Sequence, residues 1–191
     1  MTSVNVNTYY YFKDGLSTND IDKLTKQIAP ESLQEGIVGG IIDKTYRDSR
    51  IHWIPKTDEW NWLYSKIYTI ANKANEATWH FDIRYMNEKI QYTEYDASYA
   101  GKYDWHVDFA TVDFGSGFSS QRKVAIVVQL SEPDEYEGGE LQFYINREPT
   151  TAPKEKGTII CFPTYFLHRV TPVTKGKRRS LVLWTSGPPF R

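Results

Sequence analysis

Two of the four histidines in this chain stand in company that can bind a metal. His106 and Asp108 are two positions apart in Tyr103-Asp104-Trp105-His106-Val107-Asp108, a run that reads as a β-strand. Alternation along a strand sends positions i and i+2 to the same face, about 6–7 Å apart. An imidazole and a carboxylate therefore project side by side. His168 follows 60 positions after Asp108 (168 − 108), behind the apolar, turn-bearing Ile159-Ile160-Cys161-Phe162-Pro163. Two histidines and one carboxylate on one face of a metal leave the opposite face open, the arrangement of non-haem Fe(II) oxygenases. No cysteine lies close enough in sequence to indicate a structural zinc site. His52 and His80 have no partner at ligand spacing and read as structural.

Arg178 lies ten positions beyond His168 in Lys177-Arg178-Arg179-Ser180-Leu181-Val182-Leu183-Trp184. On a strand, Arg178, Ser180 and Val182 share one face and Arg179 takes the other. A guanidinium with a hydroxyl two residues on makes a receptor for a carboxylate, with a planar two-point donor and one further hydrogen bond. An inward-pointing arginine needs such an anion, because an unpaired buried charge is costly. Lys175, Lys177 and Arg179 read as a solvated basic turn. Trp105 and Phe109 flank the His-x-Asp pair on the opposite alternation and read as packing, and Trp184 reads as core.

The elements that must hold these groups change type along the chain. Ser17 or Thr18 caps a short helix running to about Ile28 before Pro30. Gly36, Gly39 and Gly40 break an apolar stretch into strand and turn. From Asp58, the spacing Trp60, Leu63, Tyr64, Ile67, Ile70, Ala71, Ala74 follows one helical face, which should lie on a sheet. From Trp79 the pattern turns to short β-type runs: His80–Tyr85, Lys89–Tyr95, Tyr103–Asp108, Val124–Leu130, Glu140–Ile145, Thr158–Phe162, Phe166–Val170 and Arg179–Trp184. Regular short strands with Gly and Pro turns predict a sandwich or barrel. Gly138-Gly139 marks left-handed backbone. Phe109–Lys123, holding Gly115, Gly117 and several serines, reads as a mobile lid that is poorly ordered without substrate.

The bulk composition agrees. The 191 residues suit one core, and 40% hydrophobic with 25% charged is the balance of a globular chain. Aromatic content of 15% leans towards sheet and a polar-lined pocket. A net charge of −1 argues against nucleic acid or an anionic membrane as partner. The single cysteine, Cys161, leaves no intrachain disulfide and reads as a small buried hydrophobe. With no leader-like or membrane-length apolar segment, the expectation is a soluble cytoplasmic protein.

As an ordered set, Tyr103-x-Trp105-His106-x-Asp108, Pro133-x-x-Tyr136-Glu137-Gly138-Gly139-Glu140-Leu141, Phe162-Pro163 and His168-Arg169-Val170-x-Pro172-Val173-Thr174-x-Gly176-x-Arg178-x-Ser180 resembles the Fe(II)/2-oxoglutarate dioxygenases, most closely the prolyl-hydroxylase-like, PKHD-type branch. The resemblance covers roughly Gln91 to Trp184. It implies a mainly β fold with N-terminal helices (α+β) around a double-stranded β-helix, or jelly roll. It also implies one domain over 1–191, with 1–78 as helical support and 79–191 as the jelly-roll core. Position by position, His106, Asp108 and His168 match the iron ligands and Arg178 the residue binding the distal carboxylate of 2-oxoglutarate. Ser180, Tyr95 and Gln129 are its expected neighbours. The implied reaction consumes 2-oxoglutarate and O2 on Fe(II), with ascorbate as an accessory, and releases succinate and CO2 while hydroxylating a C–H bond. The expected substrate is a prolyl residue of a protein or peptide, ahead of other side chains or a small molecule. A halogenase is disfavoured because Asp108 fills chloride's position. Related nucleic-acid demethylases carry a second arginine six residues after the first, where this chain has Trp184. The alternative from another class is a cupin-like metal or small-acid sensor without turnover, which gives no reason for Arg178 and Ser180 to face His106 and Asp108.

Overall fold

The central strands bury side chains on both faces, and this sets the layering. In the computed structural model, residues 2–6, 9–113, 119–145 and 147–190 are described. The elements in chain order are β1 (Thr2–Val6), β2 (Tyr9–Lys13), α1 (Thr18–Lys26), β3 (Gln34–Glu35), β4 (Arg47–Asp48), β5 (Arg50–Ile54), α2 (Asn61–Ala77), β6 (Ile90–Asp96), β7 (Lys102–His106), β8 (Thr111–Asp113), β9 (Ser119–Gln129), β10 (Tyr136–Gly138), β11 (Leu141–Ile145), β12 (Glu148–Thr151), β13 (Ile159–Pro163), β14 (His168–Val170) and β15 (Val173–Gly187). One sheet runs β1-β2-β13-β9-β15-β6-β5-β3, with β10 on β15 and β8 on β9; the other runs β12-β11-β14-β7-β4. The strand pairings are antiparallel, and the two sheets form the expected jelly roll.

Alternation divides the core in two. Val124, Ile126 and Val128 of β9, Ile159 and Cys161 of β13, and Leu181 and Leu183 of β15 pack with Leu63, Ile67, Ile70 and Ala74 of α2. The intervening Ala125, Val127, Ile160, Phe162 and Trp184 turn inward to meet Leu141 and Phe143 of the second sheet. Each fully buried aliphatic side chain contributes about 1.5–3 kcal/mol, so the helix stripe alone is a large share of the stabilisation. The α2 face is the one its spacing predicts, and α1 starts on a Ser17–Asp20 capping box. Among the described residues no helix is long and apolar enough to cross a membrane.

Three expectations change. Residues 1–78 are not a helical support alone: β1–β5 lie there, with β2 on β13, β5 on β6 and β4 on β7. The Tyr-rich Tyr9–Lys13 and the alternating Arg50–Ile54 are strands by the same two-residue period that identifies the later ones. His80–Tyr85 is not a strand, apart from a bridge between Tyr85 and Ser186. The Asn75 side chain bonds both backbone groups of Phe81 and His80 takes φ 53°, so the segment serves as the exit from α2. Within Phe109–Lys123, Thr111–Asp113 pairs with Ser119–Gln121 as a hairpin extending β9. The expected lid is thus partly a β-ladder; its centre, 114–118, lies outside the described residues.

Candidate metal centre and cosubstrate cavity

The ladder between β7 and β14 makes His106 and His168 direct cross-strand partners. Their rings lie 4.2 Å apart, centroid to centroid. Asp108 falls two residues past the end of β7, and its N–H donates to the Thr164 carbonyl at 2.8 Å, which keeps the carboxylate aimed at the two rings. Asp108 Oδ1 is 3.7 Å from His106 Nε2, and Oδ2 is 3.5 Å from His168 Nε2. One ligand atom from each of the three residues lies within 4.8 Å of the others.

Both rings are prepared to ligate through Nε2. His106 Nδ1 is 2.7 Å from the Asp104 carbonyl and His168 Nδ1 is 2.8 Å from that of Phe166. A carbonyl only accepts, so each Nδ1 carries the proton and each Nε2 presents a lone pair. Tyr103 lies flat on His106 at 3.5 Å and 13°. Burial, with His168 alongside, pushes the His106 pKa down to about 3, so the ring is neutral near pH 7. Burial acts to raise the Asp108 pKa, but His168 and His106 overrule it and hold the carboxyl below its usual range. Two imidazoles held by their Nδ1 sides and a carboxylate form the hard, borderline donor set that Fe(II) accepts.

The three residues open into a cavity of about 280 Å³ that also contains Tyr95, Arg178, Ser180, Val182 and Trp184. Arg178 is paired across the ladder with Tyr95 of β6, and Ser180 with Gln129 of β9. Arg178 is 1% exposed, and no carboxylate pairs with it among the described residues. Its Nη2 donates to Gln129 Oε1 at 3.0 Å and its Nη1 to Ser180 Oγ at 3.4 Å. Gln129 in turn donates to the Pro153 carbonyl at 2.9 Å. Gln129 thus holds the guanidinium from behind and does not line the cavity, whereas Tyr95 and Ser180 do. Arg179 faces the other way, onto Glu94.

The cavity is unsatisfied in a telling way. Seven buried polar side-chain atoms among the described residues have no close hydrogen-bond partner, and four of them belong to residues lining this cavity: Arg47 Nη2, Arg178 Nε, and Asp108 Oδ2 with Trp184 Nε1, where the indole N–H approaches the carboxylate and helps hold its pKa down. Buried polar groups are normally paired, so a cavity collecting a metal-facing carboxylate oxygen and two cationic N–H groups fits a cation and an anionic ligand. Trp184 belongs to the inner core and also walls the cavity. Trp105 packs edge-on against Tyr144, while Phe109 is 43% exposed and meets the Phe190 ring at 6.2 Å.

Sequence reasoning missed two further cations at this cavity. Arg122 is paired with Glu88 and stacks 3.7 Å over Trp184. Arg47 comes from β4, in the segment read as helical support. A signal for it was available, since Arg47-Asp48-Ser49 repeats the Arg-x-Ser form of Arg178-Arg179-Ser180.

Comparison with known proteins places this geometry. The family model of the 2OG-Fe(II) oxygenase superfamily matches residues 90–186. A PKHD-type hydroxylase of Teredinibacter turnerae is 34% identical over 84 residues, 44% of this chain and 37% of that protein. This chain thus matches well under half the length of that curated relative. A prolyl-4-hydroxylase of Pseudomonas putida shares the fold with a TM-score of 0.76 at 17% identity, over 95% of this chain and 94% of that one. A prolyl hydroxylase of Trichoplax adhaerens, solved with a hypoxia inducible factor peptide fragment, gives 0.72 at 17% identity, over 95% and 84%.

Proposed function

Because the chain belongs to the 2OG-Fe(II) oxygenase superfamily, we propose that it is an Fe(II)- and 2-oxoglutarate-dependent dioxygenase that hydroxylates a C–H bond, with a prolyl residue of a protein or peptide as the first substrate class to test. The observation that carries this reading is the pairing of a His-Asp-His cluster with a buried guanidinium, Arg178, that has no carboxylate of its own. In this reading residues 1–191 act as one oxygenase domain.

His106, Asp108 and His168 would hold Fe(II), and Arg178 would receive the far carboxylate of 2-oxoglutarate, with Ser180 and Tyr95 beside it and Gln129 holding it in place. When bound, iron and 2-oxoglutarate together supply an oxidant from O2, with succinate and CO2 as by-products. The chain's own groups bind, orient and shield. The Asp104 and Phe166 carbonyls fix the histidine tautomers. Tyr103 fixes the plane of the His106 ring. Val127, Leu141, Val182 and Trp184 line the cavity with apolar surface that excludes water from the oxidation.

The peptide class draws support from the prolyl-hydroxylase fold neighbours, one of them solved with a peptide. Ascorbate belongs in the assay as an accessory reductant. The test is mass spectrometry of proline-containing peptides under turnover. A mass gain of one oxygen on proline, dependent on 2-oxoglutarate, supports the substrate class. Succinate release without any modified peptide would remove it.

A further inference from the structure

Arg47 is one of three guanidinium groups lining the cavity, and its charge is unanswered. It is 5% exposed, and its neighbour Asp48 is taken by Arg50 at 3.1 Å. Among the described residues no carboxylate pairs with it, and its Nη2 has no hydrogen-bond partner. The group is nonetheless built into place. Nε donates to Ser49 Oγ at 3.0 Å and Nη1 to the Ile37 carbonyl at 3.3 Å. The guanidinium stacks on Tyr103 at 4.6 Å, and Tyr103 stacks on His106. A Cβ at position 36 would lie 2.4 Å from Ser49 Oγ and 2.8 Å from Arg47 Nε, so the glycine there makes room for this pair.

A charge account separates Arg47 from its neighbours. With Fe(II) and 2-oxoglutarate in place, the positive charges of the metal and Arg178 are balanced by Asp108 and the cosubstrate's two carboxylates. Arg122 is balanced by Glu88. Arg47 alone is left over, in a site where an uncompensated charge is costly. We propose that Arg47 is the receptor for a carboxylate of the prime substrate, so that the hydroxylated carbon lies close to a free acid group. This rests on the oxygenase reading and narrows its substrate class. The carboxylate can come from the C-terminus of a peptide or from a free amino-acid derivative, and the planar two-point donor suits either.

Protein loaded with Mn(II) in place of iron, and with 2-oxoglutarate, allows binding to be read without turnover. The probes are acetyl-Ala-Ala-Pro as the acid, the same peptide as its C-terminal amide, and N-acetylproline, titrated by calorimetry. At least one acid should bind about tenfold or more tighter than the amide, the scale of one charge-assisted contact. Tight binding of the peptide acid alone identifies a C-terminal source, and tight binding of N-acetylproline a small-molecule source. Arg47→Gln should erase the preference and Arg47→Lys retain part of it, with thermal melting checking that both fold. 2-Oxoglutarate should bind Arg47→Gln as it binds the parent. The proposal is overturned if no probe shows a carboxylate preference, including by failing to bind, if the preference survives in Arg47→Gln, or if that variant loses 2-oxoglutarate. Failure of the parent to bind 2-oxoglutarate would instead strike the oxygenase reading itself, and this proposal with it.

Discussion

Arg178 and Arg179 are adjacent on β15 and serve opposite faces of the sheet: Arg178 enters the cavity that holds His106, while Arg179 meets Glu94 on the back, 3.3 Å away. One residue of register therefore separates a carboxylate receptor from a half-exposed ion pair.

Arg178→Ala should raise the 2-oxoglutarate requirement by about 10- to 100-fold, the range of a two-point charge-assisted contact. Arg179→Ala should leave it within about twofold, because its side chain meets Glu94 on the face of the sheet away from the cavity. The Michaelis constant for 2-oxoglutarate in both variants decides the matter. Equal effects would remove the distinction between the two faces.

Gln129→Leu should act through Arg178 without touching the ligand. It strips the Nη2 partner and leaves the Pro153 carbonyl unpaired, so a stability loss of about 1–3 kcal/mol is expected with a weaker hold on 2-oxoglutarate. Denaturant melts and cosubstrate titration read the two effects. A variant with native 2-oxoglutarate affinity would show that the guanidinium needs no support from β9.

His106→Ala and Asp108→Ala should each abolish stoichiometric binding of Fe(II) while the far-ultraviolet circular dichroism stays native. Neither side chain belongs to the apolar core, and both face the cavity. Metal content after dialysis is the measurement; full iron occupancy in either variant contradicts the ligand set.

The metal-free protein should lose stability as pH falls from about 6.5 towards 3. The folded-state pKa of His106 sits near 3, below the ordinary histidine value, so in this window the unfolded chain binds more protons and acid favours unfolding. One such group gives a slope of at most about 1.4 kcal/mol per pH unit. Replacing His106 with Gln should flatten the profile between pH 6 and 4, and an unchanged slope there would assign the acid sensitivity to other groups.

Much of this site was legible because strand alternation is local. Arg178 and Ser180 share a face by the two-residue period alone, and the α2 stripe is legible by the same kind of count, whereas Asp108 lies past the end of β7 and is turned towards His106 by its N–H bond to the Thr164 carbonyl. What brings His168 opposite His106 is a ladder between β7 and β14, a long-range pairing that no local period encodes. Arg47 escaped for the same reason: its strand is two residues long and becomes part of the site only by pairing with Tyr103. His80–Tyr85 misled because its alternating apolar residues suit a strand, while the Asn75 side chain claims the backbone of Phe81.

The most direct test of the central claim is anaerobic loading with Fe(II) and 2-oxoglutarate, followed by admission of O2. The account predicts a weak visible charge-transfer band before oxygen, absent in Asp108→Ala, and succinate afterwards. A chain that binds both yet never yields succinate with any peptide or small acid would be a sensor and not an oxygenase.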